Sequence, residues 1–245
     1  MRGDMENAAA YAERVIDSQK FPLASPQEMG DYLAGKLSEE ETIFGVYSGS
    51  YIESVRELIF NQTSFVSYHP YTEGSGASVR PFETIYITDG DEEGSTDFRY
   101  SLQYDATSGL WSKIIDHYTL EGGRKTPSGS DTRHDGFTLI HVSEMYLIAA
   151  EALLHTDYDS ALAYFDAELS SRGLRGFATR GLTLTEENIY NEYCKELFGE
   201  GQVWFNMKRL GRDIPSNALG RTLPASDTYY VVPIPDDEFE YRNEE

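Results

Sequence analysis

Apolar positions recur at helical spacing near the start of the chain and again over its last hundred residues, with an aperiodic stretch between. In residues 4–18, Ala8, Tyr11, Ala12, Val15 and Ile16 follow i, i+3, i+4, i+7, i+8, which predicts an amphipathic helix ended by Phe21-Pro22-Leu23. Helical order returns near Arg133. Val142, Met145, Tyr146, Ala149, Ala150 and Leu153 form one face, and Leu147, Ile148 and Leu154 load the opposite one. A helix apolar on two sides is packed on two sides. Asp157 then predicts the cap of a second helix carrying Tyr158, Ala161, Leu162, Phe165 and Leu169, closed at Gly173. These two helices predict a TPR-like antiparallel hairpin, which must stack on further helices to bury both its faces.

Leu184 to Gly211 carries the last helical pattern. Thr185 is placed to cap the first turn, with Glu186 and Glu187 at the positive end of the helix dipole. Ile189, Tyr193 and Leu197 stack at steps of four. Gly199 and Gly201 weaken the helix before a second apolar group, Val203, Trp204, Phe205 and Met207, and Trp204 is expected in the core. Lys208, Arg209 and Gly211 predict the end. Glu192, Glu196 and Glu200 form an acidic row at i, i+4, i+8, which repels itself unless cations from elsewhere meet it. Arg172, Arg175, Lys208 and Arg209 are the candidates.

Residues 52–136 hold glycine, serine, aspartate and aromatics without period, and read as short strands and long loops. Ile85-Tyr86-Ile87 predicts one strand, ended by Asp89-Gly90, and Trp111, Ile114, Ile115 and Tyr118 another or its edge. The fold class expected is mainly α (α+β), with TPR-like helix hairpins packed against this loop-rich segment. A single domain over 1–245 is expected: a helix in 1–25, irregular chain in 26–136, and the hairpin, the last helical stretch and a C-terminal segment in 137–245.

Charge narrows the function. With 42 acidic against 20 basic residues, the formal net charge of −22 opposes nucleic acid and anionic lipid head groups. It suits a neutral ligand or a basic partner. Tyrosine is abundant, at 18 of 245 residues, and its amphipathic ring suits polar ligands with flat apolar faces. The single Cys194 excludes an intrachain disulfide and a cysteine-based zinc site. His134 and His141 lack a shared helical turn and a third ligand, so no metal site is expected. Asp89, Asp91, Glu92, Glu93 and Asp97 lack the EF-hand spacing and read as a solvated turn. No phosphate loop or nucleophile elbow is present, and no cofactor is expected.

Several motifs together resemble the SusD/RagB family of outer-membrane glycan-binding lipoproteins. The C-terminal pattern I-x-x-E-R-x-x-E-L-x-x-E-G-x-R-(W/F)-x-D-(L/M)-x-R-(W/L)-G is met by Ile189, Glu192, Glu196, Leu197, Glu200, Gly201, Trp204, Phe205, Met207, Arg209, Leu210 and Gly211. Tyr193, Gln202 and Asn206 depart from it, standing where Arg, Arg and Asp are usual. R-x-x-E-x-Y-L-I-x-A-E-A is matched by Glu144, Tyr146, Leu147, Ile148, Glu151 and Ala152, with His141 in the Arg position. Arg172-Gly173 resembles the close of the following helix, Asp97-Phe98-Arg99 the family's D-x-R, and YYVVPIP over 229–235 its near-terminal segment. Glu41, Ile43 and Phe44 match E-x-I-F, so 41–51 is expected to form the short strand that follows the first helix.

The resemblance runs nearly end to end, onto the second half of a typical member. The missing half would hold the export signal, the lipidated cysteine and the first helix hairpins. A fragment or a gene shortened at its start is therefore expected, with the apolar face of 4–18 short of partners.

The resemblance implies a non-catalytic protein that binds an oligosaccharide or other nutrient at the outer-membrane surface, with a SusC-like TonB-dependent transporter as partner. Sugar binding needs flat aromatic faces against pyranose C–H groups and polar side chains for the hydroxyls. Phe65, Tyr68, His69 and Tyr71 cluster beside Asn61 and Gln62, and Trp111 lies in the other irregular part. Tyr68, Tyr71 and Trp111 are the expected stacking set. Glu144, Glu151, Arg172, Glu192, Glu196, Glu200, Trp204 and Arg209 are expected to be structural. Two rival classes remain: a TPR-like protein–protein adaptor without a sugar site, and a glycoside hydrolase acting through Glu196 and Glu200, one helical turn apart.

Overall fold

The structure is a computed structural model that describes residues 3–24, 41–47, 71–73, 77–79, 86, 96–99, 104–105, 110–111, 118–121, 124–127, 136–198, 200–216 and 221–231. The chain divides into two compact units, one of Arg2–Glu196 and one of Met1 with Leu197–Glu245. It is mainly helical with short strands, as the sequence predicts.

In the larger unit α1 (Met5–Asp17) starts at Asp4, whose carboxylate accepts from the Asn7 N–H. After β1 (Thr42–Tyr47) come four short strands, β2 (Tyr71–Glu73), β3 (Ala77–Val79), β4 (Tyr104–Asp105) and β5 (Leu110–Trp111). Then follow β6 (Tyr118–Glu121), β7 (Arg124–Pro127) and β8 (Gly136–His141). Each pairs antiparallel with one partner: β2 with β3, β4 with β5, β6 with β7, and β1 with β8. Strand β8 was not expected, because Phe137 to Ile140 lead straight into a helix and carry no alternation long enough to read. It exists because β1, about ninety residues earlier, supplies its hydrogen bonds, from Thr42 opposite His141 to Tyr47 opposite Gly136. Tyr86, expected in a strand, has helical backbone instead.

Helices α2 (Val142–Leu153) and α3 (Tyr158–Ser171) form the expected hairpin. Its turn is closed by the N–H groups of Thr156 and Asp157 on the Leu153 carbonyl. Asp157 caps α3 by accepting from the Ser160 N–H at 3.2 Å and hydroxyl at 2.7 Å. Helix α2 is packed from several sides: α1, α3 and α5 (Glu186–Glu196) all lie against it. Val142, Leu147, Ala149 and Ala150 are fully buried, and the alanines let the neighbouring backbones come close. Against α2, α1 buries Ala9 and Ala12, while Tyr11 is 63% exposed. The expected face holds at Ala8, Ala12, Val15 and Ile16 and departs at Tyr11, with Ala9 buried in addition. A short, alanine-lined contact fits a close helix crossing better than a tyrosine does.

Gly173 closes α3 as expected. Its φ is +84°, and the N–H groups of Gly173 and Leu174 bond the carbonyls of Ser170 and Leu169. A Cβ here would also sit 2.9 Å from the Phe98 ring. Gly173→Ala is therefore expected to lose about 1–2 kcal/mol from the left-handed backbone alone, and more from displacing Phe98. Thermal unfolding that shows no drop in midpoint would contradict this. The four-residue α4 (Phe177–Arg180) is held by Asp166, whose carboxylate accepts from the N–H groups of Phe177 at 2.6 Å and Ala178 at 3.0 Å. Thr185 and Asn188 cap α5 reciprocally, each side chain accepting from the other's N–H.

The smaller unit holds α6 (Gln202–Leu210), the antiparallel pair β9 (Ile214–Ser216) and β10 (Arg221–Leu223), and α7 (Asp227–Tyr230). Gly201, at φ +79°, marks the break between the two helices of the 184–211 stretch, and Gly211, at φ +60°, ends the second one. Trp204 is not a core residue: it is 41% exposed and tilted against the Tyr230 ring at 4.9 Å. Successive helical residues point about 100° apart, so one face cannot bury 203, 204, 205 and 207 together. The buried stripe runs through Met207, leaving Trp204 and Phe205 outward.

Candidate functional site

A cluster of arginine and acidic side chains lies buried in the larger unit, each 3% exposed or less. Arg172, at the end of α3, forks onto Glu41 at 2.8 and 3.0 Å and onto Glu196 at 2.5 and 3.0 Å. Arg99 binds Asp97 at 2.7 and 3.0 Å, Glu196 at 2.9 Å, and Glu192. Glu168 of α3 lies 3.4 Å from Arg99 and 3.3 Å from Arg172. Lys195 reaches Glu192 at 3.3 Å. Two guanidinium groups thus face five acids. Planar forks that each bridge several carboxylates suit arginine, not lysine.

The geometry answers the question raised by the acidic row. Arg172 is one expected partner. The other is Arg99, seen in the sequence only as part of a D-x-R motif. Asp97, read as part of a solvated turn, is fully buried against it. That motif ties residues 97–99 to the helices. The Phe98 N–H donates to the Arg172 carbonyl, and the Arg99 guanidinium lies 5.7 Å from the centre of the buried Tyr86 ring. Tyr86 in turn donates its hydroxyl to the Lys195 carbonyl at 2.8 Å. Glu41 ties in the start of β1: its carboxylate accepts from the Ala24 N–H at 2.5 Å, and its carbonyl from the Val142 N–H.

Electrostatics separates the acids. Burial works against the Glu192 carboxylate, but Arg99 and Lys195 outweigh it, so its pKa lies below the ordinary glutamate value. Burial raises Glu168 well above that value, with Glu192 adding to the effect and Arg99 only partly opposing it. Burial opposes the charge on Arg99 and Arg172 as well. The surrounding carboxylates outweigh it and hold both guanidinium groups charged.

No acid of this cluster is placed to meet a substrate. Glu196 has no exposed surface and both its oxygens are held by arginine, so it cannot protonate a glycosidic oxygen. Glu200 belongs to the smaller unit. Glu144 accepts from the His141 N–H at 3.4 Å, helping to cap α2, and Glu151 is half-buried on the same helix. Arg209 donates to Asn206 Oδ1 at 2.6 Å, so the asparagine keeps an acceptor where the family pattern has aspartate. Of the expected stacking residues, Tyr71 lies in β2 opposite Val79, and Trp111 in β5 opposite Tyr104. Tyr68 lies outside the described residues, as do His134 and Asp89 to Glu93.

The SusD family model matches residues 91–244, more than half of the chain. Among solved structures the fold is similar to surface glycan-binding protein A from Bacteroides uniformis, at 17% identity and TM-score 0.65, covering 97% of this chain and 55% of that one. It is similar to a SusD superfamily protein from Bacteroides thetaiotaomicron, at 21% identity and TM-score 0.59, with 97% and 55% covered. A third is surface glycan-binding protein A from Bacteroides thetaiotaomicron in complex with laminarihexaose, at 18% identity and TM-score 0.58, with 98% and 59% covered. The chain spans about half the length of the solved structures it matches. No curated protein matches its sequence.

Proposed function

This chain belongs to the SusD family, and on that premise we propose that it is a non-catalytic glycan-binding component of a TonB-dependent outer-membrane uptake system. The observation that carries the proposal is the family match over 91–244. The fold shared with a surface glycan-binding protein crystallised with laminarihexaose supports the ligand class. The burial of Glu192 and Glu196 in ion pairs supports a binding role without catalysis.

In this role the helices act as a frame, and the middle of the chain presents the ligand surface. Tyr86 and the Asp97–Arg99 turn are anchored to α3 and α5, while the aromatic residues flank those anchors in sequence. Tyr68, Tyr71 and Trp111 stack on the C–H faces of pyranose rings, and neighbouring amides such as Asn61 and Gln62 meet the hydroxyls. A neutral sugar is indifferent to the −22 charge that repels polyanions. The protein works at the cell surface beside a SusC-like transporter, which takes up the captured oligosaccharide. Among the described residues no helix is long and apolar enough to cross a membrane.

Calorimetric titration against laminarihexaose and a panel of other oligosaccharides tests this. Trp111→Ala, Tyr71→Ala and Tyr68→Ala are each expected to weaken binding by about 1–2 kcal/mol, roughly five- to thirtyfold, as for an aromatic anchor residue. Absence of binding across the panel, or binding that none of the three changes alters, would overturn the proposal. Stable capture of a protein ligand in the absence of sugar binding would favour the adaptor instead.

A further inference from the structure

Among the described residues the buried cluster holds five acids against three cations, and one carboxylate oxygen, Glu168 Oε2, has no hydrogen bond. Glu168 has no exposed side-chain surface. Its Oε1 sits at the long distances of 3.4 Å from Arg99 and 3.3 Å from Arg172, while Oε2 is buried without any hydrogen bond. Arg99 and Arg172 make their short bonds to Asp97, Glu41, Glu192 and Glu196 instead. An ionised carboxylate with a bare oxygen in the buried interior, close to two other carboxylates, is strongly disfavoured. Protonation deletes the charge, and a neutral carboxyl group costs far less to bury than a carboxylate.

We propose that Glu168 is a proton-binding site: it stays protonated through neutral pH, so that Arg99, Arg172 and Lys195 face four carboxylates among the described residues. The groups that face it are Glu192 and Glu196 from α5 and Arg172, which follows the last residue of its own helix. Arg99 faces it from the middle segment with Asp97 behind, and Glu41 lies across Arg172. The low pKa of Glu192 and the raised pKa of Glu168 fit this division of one proton between two neighbouring acids. The site is independent of any sugar the protein binds.

Its consequence is a stability that falls with rising pH. A carboxyl group whose folded pKa lies above its unfolded value binds more proton in the folded state. Its contribution is fully present below the ordinary value of 4.5 and is lost as pH rises towards the folded pKa. Across that window the folding equilibrium constant drops about tenfold per pH unit from this group alone.

Glu168→Gln keeps the shape and cannot titrate. Urea unfolding of the full chain between about pH 5 and 8 is expected to show the ratio of the variant's folding constant to the wild type's climbing about tenfold per unit. Infrared spectra of the wild type at neutral pH should retain a protonated-carboxyl C=O band that the variant lacks. A ratio that stays flat with pH, or a wild type without the band, overturns the proposal. Should the variant fail to fold, the wild-type band decides by itself: its presence supports a buried protonated acid and its absence refutes it.

Discussion

Arg172→Ala is expected to cost about 3–5 kcal/mol of folding free energy, the range for breaking a buried ion pair from one side. Arg172 has no exposed surface and holds Glu41 and Glu196 through four hydrogen bonds. Removing it takes the guanidinium fork away from both buried carboxylates, of which Glu196 keeps its bond to Arg99. A domain of this size is stable by about 5–15 kcal/mol, so the variant stands near the limit of folding at neutral pH. Arg172→Lys should recover little, because one ammonium cannot span two carboxylates in a fixed fork. Urea midpoints at pH 7 measure the loss. A midpoint change equivalent to less than about 1 kcal/mol, the scale of an exposed pair, would show that the cluster does not hold the fold. The sign with pH is fixed at Glu192 in the wild type. Its pKa is depressed, so its contribution is present above 4.5 and is lost as pH falls through the lower folded value.

Phe165→Ala should cost a similar amount, about 3–5 kcal/mol, through a different mechanism. Phe165 is 1% exposed on α3 and meets the Phe177 ring edge-to-face at 5.1 Å. Truncation leaves a cavity between α3 and α4 and removes the ring against which Phe177 rests. With only four residues, α4 has no stability of its own. Its amides should therefore lose hydrogen-exchange protection beyond the global decrease. Phe165→Leu fills most of the space and should cost far less. Equal losses for the two variants would mean that ring packing, and not cavity volume, sets the energy.

These two positions differ in how far the sequence foretold them. Phe165 sits in a helical apolar pattern, and its burial follows from periodicity. Arg172 was one of four candidate cations for the acidic row, and nothing local ranked it first. Arg99 was seen only as part of a family-like tripeptide. It lies 93 residues from Glu192 and 97 from Glu196, and Arg172 lies 131 from Glu41. Contacts at such separations leave no period to read. The same holds for β8, whose partner lies in β1. For Trp204, helical geometry decided against composition: a run of apolar residues cannot share one helix face.

What the sequence by itself determined is what rests on neighbours within a turn or two. That covers the span of α1, the α2–α3 hairpin, the caps at Asp157 and Thr185, and the glycine stops at Gly173 and Gly211. Its motifs also placed the chain in its family. Only the tertiary structure decided which charges meet, because burial and distance set the cost of a charge, and both depend on segments far apart along the backbone. It joined Glu41, Asp97 and Arg99 to the acids of α3 and α5, and it left Glu168 without a partner for its second oxygen.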